Sequence, residues 1–194
     1  MDFWLKIEMI KRLVPDPKME ILNGEEIVWN DERTMPTDSE ILTELEKYNN
    51  ETKQFDLFQK VDKLADTKTS EARNLITGKR VTNDQLFRYE QKYEMALKYK
   101  TDGSYANELK WEAELTGMTT DKLVDLIITT GKEYDYAIKK FVAMIEAFRV
   151  KLGILIREGR YNDVESIIAE AYRMDVAEMT IDNVKKLLTK YNAS

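Results

Sequence analysis

Histidine and cysteine are both absent from the 194 residues. The chemistry open to the chain is therefore that of carboxylates, amines, hydroxyls and phenols. Ser-His-Asp and Cys-His nucleophile systems, thiol redox chemistry and disulfides are excluded. The commonest general base near neutral pH and the commonest transition-metal ligand go with them. Carboxylates are plentiful and closely spaced: Glu44 with Glu46, Glu90 with Glu94, Glu108 with Glu112, and Asp31, Glu32 and Asp38 within WNDERTMPTDSE (29–40). Paired acids can cleave glycosides or hold Mg²⁺. Nothing in the spacing selects one pair. Arg88 and Lys92 flank the second, so a solvated, ion-paired helix face accounts for it. Asp31, Glu32 and Asp38 lack the ligand spacing of a metal loop and read as a solvated junction. No phosphate loop, dinucleotide fingerprint, EF-hand or HExxH is present. The expectation is no enzyme, no cofactor and no metal, with a carboxylate-and-Mg²⁺ enzyme as the third reading.

Contact chemistry is better represented. Ten Tyr, three Trp and nine Met are spread along the chain, and such residues mark protein–protein contact surfaces when they are not half-buried core edges. Ile27, Trp29, Trp111, Tyr134 and Tyr136 are the candidate partner-binding residues, with Trp29 and Trp111 foremost. Trp4 is expected under a hairpin. Thirty basic and 36 acidic residues give a net charge of −6 and no basic stripe, which argues against nucleic-acid binding. The N-terminal MDFWLKIEMIKRLV is broken by charge too often for a signal-peptide core or a membrane span. A soluble protein made in the cytoplasm is expected.

The elements that must carry these residues are mainly helical, since helix formers dominate and only seven Gly and three Pro occur. Phe3, Ile7, Ile10 and Val14 share one face of a short helix that Pro15 and Pro17 stop. Asn23-Gly24 predicts a type I′ hairpin between strands 18–22 and 25–30, with Trp29 ending the second strand. Thr37 with Glu40 is a capping box opening a helix to about Asn49. Asn49 to Lys53 reads as a linker, followed by helices at 54–66 and around 70–76. Thr82 with Gln85 opens a helix to about Tyr99, and another spans 105–116. Residues 119–158 repeat apolar positions every three to four residues and predict one long helix. Gly131 would mark a kink or a close approach, and Gly153 its true end. A helical hairpin, 162–174 and 180–191, closes the chain. The expected architecture is a helical bundle with one long helix, residues 54–194, plus a small helix–hairpin–helix module, residues 1–50.

IKRLVPDPKMEIL and EEIVWNDERTMPTDSEI resemble the N-terminal region of small bacteriophage tail proteins, tail-fibre assembly proteins among them. The shared features are a short helix ending in Pro (Ile10 to Pro15), strands ending at a Trp (Trp29-Asn30), and a helix start at Pro36-Thr37 with Glu40-Ile41. RYEQKYEMALKY and ELKWEAELTGMTTDKLVDLIITTGKEY are similar to helical regions of phage tail accessory proteins. Arg88-Tyr89 with Lys92, Glu112-Ala113, and Thr116-Gly117-Met118-Thr119 with Leu123 and Ile127 carry that likeness. The resemblance spans about half of the chain and has no catalytic residues to transfer. It implies a tail-fibre or baseplate component, or a chaperone for fibre folding and trimerisation. Its partners would be other tail proteins, met in the host cytoplasm during assembly or in the virion tail. Residues 162–194 lie outside it. The alternative is a cytoplasmic helical adaptor or regulator that forms homo-oligomers through the long helix.

Overall fold

The computed structural model describes residues 1–78 and 82–192. It is mainly helical, with one antiparallel hairpin near the N-terminus. The chain divides into two compact units, Met1–Phe58 and Gln59–Ser194.

In the first unit, α1 (Phe3–Leu13) is capped by Asp2, whose Oδ1 accepts from the Trp4 and Leu5 amides at 2.9 and 3.3 Å. Ile7 and Ile10 are buried as the spacing predicts, and Met9 beside them is fully buried. β1 (Met19–Leu22) pairs with β2 (Glu26–Trp29). Asn23 and Gly24 adopt positive φ, 51° and 73°. The register sets Leu22 opposite Glu26, so Glu25 adds a third residue to the loop expected from Asn-Gly. Met9, Ile10 and Ile41 form the core, covered by Leu5, Met19, Ile27, Trp29, Met35, Leu45 and Tyr48. Arg12 clips α1 to the following helix through Glu44 at 2.8 Å and Glu51 at 2.6 Å, with its guanidinium over the Tyr48 ring. Trp4 is not under the hairpin: it is 63 % exposed and meets the Phe3 ring edge-on.

The clearest departure from the sequence reading is α2, one unbroken 40-residue helix, Asp38–Thr77. Asn49 to Lys53 is helical backbone rather than a linker, and the expected break near 66–70 is absent. No Gly or Pro interrupts this stretch, and a few weak helix formers cost only about 0.7 kcal/mol each. Arg12 reaches Glu51 inside the supposed linker. Lys68, at the other supposed break, is buried and donates to Glu71 and to the Tyr172 and Met174 carbonyls. The division between the units falls inside this helix rather than near residue 50.

The second unit is built around α5 (Thr120–Arg157, 38 residues), matching the expected 119–158. α3 (Asn83–Asp102), α4 (Ala106–Thr116) and α6 (Tyr161–Arg173) contact α5, and α7 (Ile181–Asn192) contacts α6. Thr82 and Gln85 form the expected capping box. Ala96, Leu109 and Val124 join α3, α4 and α5 in one cluster. Gly153 does not end α5 but lies buried within it. The end comes at Gly159, φ 75°, where the Arg160 and Gly159 amides donate back to Leu155 and Ile156, a Schellman closure that needs a left-handed residue. No helix among the described residues is long and apolar enough to cross a membrane.

Candidate interaction surfaces

The acidic junction at 29–40 is solvated at Glu32, Asp38 and Glu40, as expected, but organised around a shielded Asp31. Asp31 receives Arg33 Nε and Nη2, each at 2.7 Å, the Arg33 amide at 3.0 Å and the Lys18 amide at 2.8 Å. Arg33 also donates to the Pro15 and Asp16 carbonyls. These bonds, the Arg33 pair first, hold the Asp31 carboxyl far below the usual carboxylate range. Trp29 Nε1 donates to the Arg33 carbonyl at 2.7 Å. Asp38 instead pairs with Lys6 at 2.7 Å. Asp31 and Asp38 thus answer different cations. Among the described residues no three Asp or Glu side chains converge as a metal group.

The five candidate contact residues divide between the units. Ile27 and Trp29 turn inward onto the Met9–Ile10–Ile41 core, half-buried. What the hairpin offers a partner is the outer backbone of its strands, with Ile21 and Leu22 exposed on β1. A two-stranded sheet leaves such edges open. In the second unit Trp111 is 70 % and Tyr136 72 % exposed, whereas Tyr134 is half-buried. Burial raises the Tyr134 phenol above its usual range, Arg73 opposes that shift and Glu90 adds to it. Tyr134 and Tyr136, two residues apart on one helix, face different directions.

Leu115, 89 % exposed and one turn on from Trp111, is a contact candidate that the sequence reading missed. Its signal was there: α4 turns Leu109 and Ala113 inward, and Leu115 lies off that stripe beside Trp111.

The second unit also carries a groove of about 880 Å³ between α3, α5 and the last turn of α2. Its floor is the Tyr93 ring lying on the backbone of Gly131. A Cβ built on Gly131 would stand 2.3 Å from Tyr93 Cδ2. The close approach expected at Gly131 is therefore real. Ile76, Leu86, Leu126 and Tyr134 line the walls. Two rim lysines are already engaged, Lys92 with Glu112 at 2.5 Å and Lys139 with Asp135 at 2.6 Å. Glu90 and Glu133, also on the rim, have no ion-pair partner among the described residues.

The chain matches no family model, no curated protein and no solved structure.

Proposed function

We propose that the protein acts by contact with other proteins, as a bacteriophage or prophage tail component of the fibre or baseplate, or as a chaperone for tail-fibre assembly. The observation that supports contact chemistry best is the α4 pair Trp111 and Leu115, large apolar side chains held in solvent one turn apart on a helix whose other face is packed. Burying such a pair against a partner is worth about 1.5–3 kcal/mol for a side chain like Leu115, and Trp is the commonest hot-spot residue. Support for the tail assignment comes from the Pro15, Trp29 and Pro36-Thr37 punctuation and the Thr116-Gly117-Met118-Thr119 motif, which resemble tail proteins. The open hairpin edges suit strand addition by an extended partner segment.

Co-expression with the neighbouring fibre gene tests this. The yield of soluble fibre trimer should rise when the protein is present, or the protein should be found in purified particles. If fibre yield is indifferent to it and particles lack it, the assignment is wrong.

A second reading, a helical adaptor that self-associates through α5, draws on Tyr136, Val150 and Ile154, which are exposed along that helix. Light scattering decides it: a dimer that reverts to monomer in a Val150→Lys/Ile154→Lys variant favours the adaptor, and a monomer at all concentrations excludes it.

A further inference from the structure

We propose that the groove between α3, α5 and the end of α2 is the docking site for a basic amphipathic helix of a partner protein. The inference rests on the protein-contact reading above and assigns the partner's chemistry. The groove follows α5 from Leu126 to Lys139, fourteen residues and so about 20 Å, which matches three to four turns of a docked helix better than one compact small molecule. Its floor is aromatic and its walls aliphatic, so apolar anchors at i, i+3 or i+4 and i+7 of a helix fit along it. The volume of about 880 Å³ accommodates several Leu-sized side chains.

Charge selects between partners. The rim lysines are neutralised by Glu112 and Asp135, which leaves Glu90 and Glu133 as the lining's unpaired charges among the described residues, with the Arg73 guanidinium acting on Tyr134 beside them. Lys or Arg beside the apolar anchors would meet these carboxylates. A second copy is a poor occupant: the chain carries −6 overall, and its exposed apolar helix α4 sets Trp111 and Leu115 beside Glu108, with Glu112 paired to Lys92 and Glu114 to Lys110, so it offers no surplus of cations to the groove. Electrostatic selection of this kind rejects like-charged partners.

The test uses the full chain and three probes: a 17-residue Leu/Lys amphipathic helix, its Leu/Glu counterpart, and dodecanoate. Binding is read by fluorescence anisotropy of the labelled peptides and by amide shifts of the labelled protein. The Leu/Lys helix should shift the Gly131 and Tyr134 amides and bind at least about tenfold more tightly than the Leu/Glu helix. Glu90→Gln/Glu133→Gln should remove most of that preference. Leu126→Asp, an exposed position on the lip, should abolish binding without unfolding the chain. The control Glu20→Gln/Glu26→Gln, on the hairpin, should change nothing. Equal binding of both helices, shifts away from the groove, equal loss from the control pair, or response to dodecanoate alone would each overturn the proposal. So would a Leu126→Asp chain that still raises fibre-trimer yield, and that result would leave the protein-contact reading standing.

Discussion

Asp31 shows how one side chain fastens a whole segment. Its carboxylate ties the loop to the start of β1 and to Arg33, and Arg33 holds the turn after α1. Because its folded-state pKa is lowered, protonation favours unfolding. Its contribution is complete above about pH 4, the ordinary aspartate range, and disappears as pH falls toward the lowered value. Glu40, held down by the Thr37 amide and hydroxyl, and Glu44, held down by Arg12, act in the same sense. Trp29 emission, followed in a Trp4→Phe/Trp111→Phe background, should therefore report acid loosening of the first unit below pH 4. Asp31→Asn should lower its thermal midpoint at pH 7 and flatten that acid limb. Gly131 gives a second residue-scale prediction. Gly131→Ala gains about 1 kcal/mol of helix propensity but overpacks the Tyr93 ring at about 1–3 kcal/mol. Urea unfolding should show a net loss of up to about 2 kcal/mol, and the same change should stabilise a Tyr93→Ala chain. Half of this was legible beforehand. A glycine inside a strong helical pattern announces a close approach, but which ring fills it depends on how α3 lies on α5. The Asp31–Arg33 pair is local and readable, whereas its bond to Lys18 requires the hairpin register.

At the scale of elements, caps and stops were readable because their chemistry is local. Thr37 and Thr82 open helices by accepting amides, as their spacing to Glu40 and Gln85 announces, Asp2 and Thr119 do the same without having been singled out, and α1 stops at Val14 just before the expected Pro15. Continuity through 49–53 was not readable. Weak helix formers without Gly or Pro leave the outcome to tertiary contacts, here the reach of Arg12 to Glu51. Asn50→Pro distinguishes the two descriptions. Inside a helix it should cost about 3 kcal/mol or more, seen as lost helical circular dichroism and a lower denaturation midpoint; in a linker it would change little. Burial gives the companion prediction. Leu152→Ala, at a fully buried site on α5, should cost about 2–5 kcal/mol. Leu115→Ala, at an exposed one, should stay within about 0.5 kcal/mol and weaken only partner binding.

In the whole molecule each of the two packed units presents surfaces that its own packing does not use. The first unit turns Ile27 and Trp29 inward and keeps strand edges open. The second leaves Trp111, Leu115 and Tyr136 in solvent and carries an acid-rimmed apolar groove. Composition excluded thiol and imidazole chemistry without any structure. Which aromatics reach solvent became visible only with the packing, because the same helical spacing serves a core stripe and a docking stripe. Photocrosslinking is the sharpest test of the proposal that this chain works by binding tail proteins. A benzophenone amino acid at position 111 or 115, in cells producing the assembling particle, should yield a crosslink whose mass-spectrometric identity is a fibre or baseplate protein, with none from position 20 on the exposed face of β1. Crosslinks only to proteins outside the tail, or none from either α4 position, would contradict it.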